Sequence, residues 1–161
     1  MTNATNPVTI TAPEGVPFID IEREFDAPVA AVYRAHVEPE LVKQWLGPNG
    51  YDVEIERYDV RTGGGYRYVH TNPAGESYAF NGVFHVARPN EFIIQTFEFE
   101  GFPDVVSIES ATFEDLEDGR SRVRAHAVYP SLEARDGMIS SNMEVGLTEG
   151  YERLDGVLAA L

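Results

Sequence analysis

The groups in this 161-residue chain that could carry out metal-binding or nucleophilic chemistry are few. The four histidines, His36, His70, His85 and His126, are isolated and form no HxxxH or HxH pair. Because a zinc site needs several ligands at short spacings, we predict no metal site. Cysteine is absent, which excludes thiol nucleophiles and disulfides. The serines lie outside any GxSxG motif, so no catalytic residue is predicted.

One histidine lies in a pattern that favours a binding role. In GYRYVH, alternation places Tyr66, Tyr68 and His70 on the same face of a strand. A histidine at a strand end is commonly hydrogen-bonded to backbone or water. If this aromatic face points inward, His70 is instead a polar hook or a base at the mouth of a cavity.

An arginine shares the apolar face of the first long strand. FIDIEREF alternates so that Ile19, Ile21 and Phe25 lie on one side together with Arg23. A buried arginine is unfavourable unless it is paired. We therefore expect either a salt bridge or an anchor for a ligand carboxylate or phenolate.

A carboxylate in ESATFED is the remaining candidate. Alternation places Glu109 with Ala111 and Phe113, but the pattern does not indicate which face of this strand is inward. If it is buried, Glu109 could pair with an inward arginine or act as a base with a raised pKa. If it is exposed, it is an ordinary solvated residue.

The three glycines of RTGGGYRYVH raise the question of a phosphate site. The segment lacks GxxxxGK[ST] and GxGxxG, and a strand rather than a helix follows it. Glycine allows a positive φ in a tight turn between strands. We interpret Gly63, Gly64 and Gly65 as a turn, and we predict no cofactor.

Charge and composition exclude several classes of partner. With 27 acidic and 12 basic residues, the net charge is −15, which repels nucleic acid and anionic membranes. No apolar run approaches the roughly 18 residues of a membrane span. The N-terminal residues lack a basic start and an apolar stretch, so no signal peptide is expected. These features predict a cytoplasmic protein that neither binds nucleic acid nor inserts into a membrane.

The order of predicted elements indicates one α+β domain. A flexible arm at 1–17 precedes a single domain at 18–161. That domain begins with one strand and two short helices, of which the first is predicted to be capped by Asp26. The turn-separated segments of 51–129 then read as six antiparallel strands. A long helix capped by Asp136 is predicted from Met138 to about Ala160. Together they predict a seven-stranded curved sheet wrapped around the last helix.

The space between sheet and helix is predicted to be an internal, mostly apolar cavity. A narrow apolar stripe on the helix comprises Met143, Leu147, Tyr151, Leu154, Leu158 and Leu161. Gly150 lies beside this stripe and is expected to leave room for a ligand or for a close strand. The apolar side chains predicted to line this cavity could instead be plain core. The predicted cavity lining is Arg23, Trp45, Tyr66, Tyr68, His70, Phe80, Phe84, Phe97, Met143, Leu147, Gly150 and Tyr151.

Four segments in this order resemble a known family. They are FDAPVAAVYRAHVEPELVKQWLGP, RTGGGYRY, NGVFHVARPNEFIIQTF and RDGMISSNMEVGLTEGYERLDGVL. The chain is similar from about residue 18 onward to the START-like (SRPBCC, birch-pollen-allergen-like) superfamily, in the branch of homologues of the activator of heat-shock chaperone ATPase. Thr62 departs from the proline common in the glycine turn.

The resemblance implies a helix-grip fold with an internal cavity but no single activity. Members of the superfamily bind lipids, sterols or hormones, cyclise polyketides or assist a chaperone. The leading hypothesis is therefore a non-enzymatic protein that binds a small, largely apolar ligand. The alternatives are a cyclase or dehydratase of an aromatic or polyketide substrate, and a chaperone-activating partner protein. The sheet edges allow a homodimer without requiring one.

Overall fold

A computed structural model describes residues 6–161 of the chain. The first half contains β1 (Thr9–Thr11), β2 (Phe18–Phe25), α1 (Val29–Val37), α2 (Pro39–Trp45), β3 (Asp52–Tyr58) and β4 (Gly65–Thr71). The second half contains β5 (Ser77–Arg88), β6 (Phe92–Phe99), β7 (Val106–Asp115), β8 (Ser121–Val128), α3 (Leu132–Ser140) and α4 (Met143–Ala159).

The strands form one antiparallel sheet in the order β1-β2-β8-β7-β6-β5-β4-β3. The run from β3 to β8 is a meander of neighbouring strands, as the turn signals predict. The sheet has eight strands within the described residues rather than the predicted seven. The added strand is Thr9–Thr11, which pairs with β2 although it lies in the segment predicted to be a flexible arm. Residues 1–5 of that segment lie outside the described residues.

The turn from β2 into α1 differs in detail from the prediction. Pro28 occupies the N-cap of α1 without a side-chain hydrogen bond. Asp26, the predicted cap, instead accepts a hydrogen bond from Arg120 at 3.0 Å. Phe25 is fully buried and anchors the end of the strand in the core. The helix therefore depends on packing rather than on an acidic cap.

The C-terminal helical region is broken, which corrects the prediction of one helix from Met138. α3 ends at Ser140 and α4 begins at Met143, with Asn142 between them at φ 66°. Asparagine adopts this left-handed conformation more readily than most residues, so the chain can change direction there. Asp136 lies within α3, and the N-cap of that helix is Ser131.

The Ser131 cap provides a test of this helix boundary. Its hydroxyl oxygen accepts a hydrogen bond from the backbone N–H of Ala134 at 3.0 Å. We expect Ser131→Ala to lower the free energy of unfolding by about 1 kcal/mol, measured by urea denaturation. Ser131→Asp, which retains a capping oxygen, is the control and should stay near wild type. Equal losses in both variants would contradict the assigned cap.

The helices cover the concave side of the sheet. α4 packs on α1 and α2, and its residues Tyr151, Leu154 and Leu158 are buried in the main core. Phe25 and Phe113 enter the same core from the sheet. This arrangement agrees with the predicted grip of the sheet on the last helix. No helix within residues 6–161 is both long enough and apolar enough to cross a membrane.

Candidate functional site

The candidate site is the concave face of the sheet beneath α4. Strand register places Glu109 of β7 opposite Gln95 of β6 and Ala127 of β8. Because side chains two apart along a strand share a face, Ser107 and Phe113 lie on the same side as Glu109. Both of these neighbours are buried. This register resolves the ambiguity in ESATFED, because Glu109 faces inward.

Glu109 is a weakly satisfied carboxylate. Its Oε2 accepts one side-chain hydrogen bond, from the Ser107 hydroxyl at a long 3.4 Å. Burial raises the pKa of Glu109 to about 7, and the Ser107 hydrogen bond only partly opposes this. The carboxyl group therefore changes its protonation state near neutral pH, where an exposed glutamate would be fully ionised.

Four tyrosines lie close enough to Glu109 for its charge to act on them. Burial raises the pKa of Tyr66, Tyr68, Tyr129 and Tyr151, and the negative charge of Glu109 raises each pKa further. All four hydroxyl groups are consequently neutral at physiological pH. They can donate hydrogen bonds, but they supply no compensating charge.

The Tyr66 hydroxyl is already engaged. It donates to the carbonyl oxygen of Thr96 at 2.5 Å and accepts from the Gln95 amide at 3.2 Å. Gln95 lies opposite Glu109, so a polar strip runs from β4 to β7 across the middle of the sheet. Sequence analysis did not identify Gln95, Ser107 or Tyr129. A glutamine interrupting the apolar run FIIQTF was the available signal.

A stack of aromatic rings lines the wall beside this strip. Tyr68 stacks between Tyr66, with ring centroids 5.8 Å apart, and His70, at 5.1 Å. Phe80 packs on Tyr68 at 5.3 Å and on Phe97 at 5.4 Å. The inward aromatic face anticipated for GYRYVH therefore exists, and β5 and β6 extend it.

His70 lies at one end of this stack beneath the loop that follows α2. The ring is buried, and its Nε2 has no hydrogen-bond partner. A Cβ placed on Gly47 would lie 2.7 Å from His70 Cε1, so the loop closes directly over the ring. Burial, aided by the charge of Arg153, lowers the pKa of His70 to about 4. The ring is neutral at physiological pH and has no contact with Glu109.

Arg23 faces inward, but it is paired. Its two terminal nitrogens donate to the Asp155 carboxylate of α4 at 2.6 and 2.7 Å. The guanidinium also lies 4.7 Å from the centroid of the Phe25 ring. Of the two alternatives predicted for Arg23, a salt bridge or a ligand anchor, the structure contains the salt bridge. The bidentate contact leaves only the buried Nε without a partner.

Five of the predicted lining residues belong to the packed core. Tyr66 is 3% exposed and Tyr68 is 8% exposed, and both lie in the same core cluster as Phe84, Trp45 and Tyr151. Phe84 is 1% exposed, Trp45 is 7% exposed and Tyr151 is 6% exposed. Trp45 donates to the carbonyl oxygen of Ala35 at 3.0 Å, and its ring stacks on Tyr151 with centroids 6.0 Å apart. These rings pack against one another and offer little free surface to a ligand.

The structure requires glycine at position 150 for a different reason from the one expected. A Cβ on this residue would lie 3.0 Å from the carbonyl oxygen of Trp45 and 3.7 Å from that of Gly47. The glycine therefore lets α4 approach the loop after α2, and it does not open space for a ligand. A Gly150→Leu variant would displace the loop backbone, so a loss of ligand binding in that variant would not show that the glycine lines a ligand cavity.

Several inward side chains remain half-buried although they lie mid-sheet. This group comprises Ile21, Phe80, Gln95, Phe97 and Glu109 from the sheet, and Met143 and Leu147 from α4. Side chains that face a fully packed core lose nearly all of their accessible surface. Residual exposure on the concave face is typical of the wall of a cavity. In residues 6–161, no group of three His, Asp or Glu side chains could hold a metal ion.

A curved antiparallel sheet that grips a C-terminal helix is the helix-grip fold. The sequence model described as "Activator of Hsp90 ATPase homolog 1-like protein" matches residues 26–159. The chain therefore belongs to the family of activator of Hsp90 ATPase homolog 1-like proteins. The resemblance noted in the sequence is confirmed. No curated protein gave a significant match.

Solved structures support the same fold. A Mycobacterium smegmatis protein is 26% identical with a TM-score of 0.85, and the match covers 96% of this chain and 99% of that one. A Rhodobacter sphaeroides protein is 25% identical with a TM-score of 0.86 and the same coverage. A Chromobacterium violaceum protein is 26% identical with a TM-score of 0.76, covering 88% of this chain and 96% of that one.

Proposed function

We propose that this protein binds a small, largely apolar ligand between the concave face of the sheet and α4. The observation that carries the proposal is the residual exposure of Phe80, Phe97, Met143 and Leu147 on inward faces. An apolar ligand would remove this surface from water, at roughly 25 cal/mol for each Å² buried. Membership of the family is consistent with a ligand-binding or activator-type role.

The polar residues of the wall would orient such a ligand. From the sequence, His70 was predicted as a polar hook and Arg23 as a ligand anchor, with Tyr66 and Tyr68 in the lining. Asp155 holds the Arg23 guanidinium, so the weakly satisfied Glu109 is the better anchor. Tyr68 and the unpartnered Nε2 of His70 remain secondary anchors in this proposal.

Native mass spectrometry of gently purified protein tests the proposal. We expect a stoichiometric small molecule, or a rise in melting temperature with members of an apolar ligand panel. At a ligand concentration of 100 Kd, the added stability is about 2.7 kcal/mol. Phe97→Trp, which fills the inward space, should weaken binding. Ile108→Trp, on the exposed outer face, should leave binding unchanged.

The outcomes separate the proposed roles. An empty protein whose melting temperature does not respond to any panel member would overturn ligand binding. It would direct the search to protein partners, including a chaperone. Equal loss of binding in Phe97→Trp and Ile108→Trp would place the ligand outside the concave face.

A second candidate function is acid–base catalysis on an aromatic or polyketide substrate. The observation that favours it is Glu109, whose pKa of about 7 suits a proton-transfer group at neutral pH. A catalytic role predicts that Glu109→Gln binds substrate but does not turn it over. Binding without any turnover by the wild type would leave the first function standing alone.

A further inference from the structure

The interior of the site carries one uncompensated negative charge when Glu109 is ionised. The charge of Glu109 acts on the neutral Tyr66, Tyr68, Tyr129 and Tyr151. The inward Arg23 lies at the level of Phe113 and is paired with Asp155. The paired guanidinium and carboxylate cancel each other to first order. Arg153 of α4 donates to the carbonyl oxygens of Trp45 and Gly47, and its charge acts on His70. Among the described residues, no cation contributes to the pKa of Glu109.

An aromatic wall stands beside the same position, since the charge of Glu109 acts on Tyr66 and Tyr68. The rings of Tyr66, Tyr68 and Phe80 form a continuous stack, with neighbouring centroids 5.3 to 5.8 Å apart. Because these rings cover one another's faces, they offer a ligand an apolar wall rather than free ring faces. A half-buried carboxylate in such a wall, with one long hydrogen bond from Ser107, suits a ligand that joins an ammonium group to an apolar body. A neutral hydroxyl on a ligand would gain less from the carboxylate than an ammonium group would.

We propose that the site selects a ligand with a protonated amine on an apolar body, and that the Glu109 carboxylate binds the ammonium beside the Tyr66–Tyr68–Phe80 stack. This inference rests on the proposed function and specifies the ligand class. The apolar body would lie along Phe97, Met143 and Leu147. The net charge of −15 also raises the local concentration of cations and repels anionic ligands.

Protonation of Glu109 gives the inference a pH signature. An alkylamine, with a pKa near that of lysine at about 10, stays charged throughout the neutral range. Ionised Glu109 dominates above about pH 7, because burial sets its pKa there. Affinity for the amine should therefore fall below about pH 7, and affinity for a matched alcohol should change little.

A matched ligand series tests the inference with isothermal titration calorimetry. The probes are phenylbutylamine, phenylbutanol and phenylbutyrate, together with the corresponding decyl compounds. At about pH 8 we expect the amine to bind about tenfold or more tightly than the alcohol, and the acid to bind most weakly. At about pH 5.5 the preference for the amine should largely disappear.

Variants assign the preference to Glu109. Glu109→Gln should bind amine and alcohol equally, at close to the wild-type affinity for alcohol. Glu54→Gln makes the same charge change at an exposed position on β3 and should retain the preference. If both variants keep it, the inference is wrong and net charge explains the selectivity.

The remaining outcomes distinguish the inference from the function on which it rests. Equal binding of amine, alcohol and acid by the wild type would overturn the amine inference and leave apolar ligand binding intact. If no compound of either series binds at either pH, both the inference and the proposed function are overturned.

Discussion

Replacing Asp155 with alanine is expected to lower the free energy of unfolding by about 3 kcal/mol. The reason is the burial of its partner, since the Arg23 side chain is only 1% exposed while that of Asp155 is 36% exposed. Removal of the carboxylate leaves a guanidinium charge inside the core without its bidentate acceptor. Urea denaturation of the purified variant measures the loss.

Two further variants control for other effects of this substitution. Glu152→Ala changes an exposed carboxylate on the same helix and should stay within about 0.5 kcal/mol of wild type. The double variant Arg23→Met/Asp155→Leu removes both charges and should be more stable than Asp155→Ala. If Asp155→Ala is as stable as wild type, Arg23 does not depend on this salt bridge.

Glu109→Gln is expected to stabilise the protein at pH 8 by roughly 2 kcal/mol and to have almost no effect at pH 4. The pKa of Glu109 is about 7 in the folded protein, against an ordinary value of 4.5. The folded state therefore binds more protons than the unfolded state between these values. The contribution of the protonated Glu109 carboxyl group to the free energy of unfolding is fully present below about pH 4.5, and it is lost as the pH rises through 7. The full shift corresponds to about 3 kcal/mol, and partial solvent access reduces it.

Two histidines act in the opposite direction. Burial lowers the pKa of both His36 and His70 from 6.5 to about 4, so the folded state binds fewer protons than the unfolded state between these two values. Their contribution to stability is present above pH 6.5 and is lost as the pH falls through 4. The pH dependence of the free energy of unfolding of the wild type therefore combines the effects of both histidines with that of Glu109.

The difference between wild type and Glu109→Gln isolates the carboxyl group. Both proteins carry the same histidines, so the histidine contribution cancels when urea unfolding is compared at each pH from 4 to 8. We expect the difference to grow mainly between pH 4.5 and 7. A difference that is constant across this range would mean that Glu109 titrates normally, and it would remove the basis for a pH-dependent ligand preference.

The sequence by itself determined the order of elements and the class of fold. Alternation in FIDIEREF and GYRYVH placed Arg23 and the aromatic face correctly, because side chains of a strand point alternately to its two faces. The family resemblance rested on four short segments in the right order, and it predicted the grip of the sheet on the last helix. Local patterns were sufficient here, because the face of a side chain on a strand and the order of elements depend on residues that are close in the sequence.

Contacts between distant residues were decided only by the tertiary structure. Arg23 meets an acceptor 132 residues away, and no local pattern indicates which carboxylate that is. Gly150 meets the loop after α2, whose position depends on the packing of three helices. The short strand β1 and the break at Asn142 likewise depend on which surfaces the rest of the fold offers.

The inward direction of Glu109 is the clearest case of this division. Alternation in ESATFED defines two faces, but both carry a mixture of apolar and polar residues, so hydrophobicity does not choose between them. The register of β7 between β6 and β8 makes the choice, because it is fixed by Phe113 and Ser107 packing into the core. The same register then buries a carboxylate and shifts its pKa to about 7, a property that arises from its surroundings and not from its sequence neighbours.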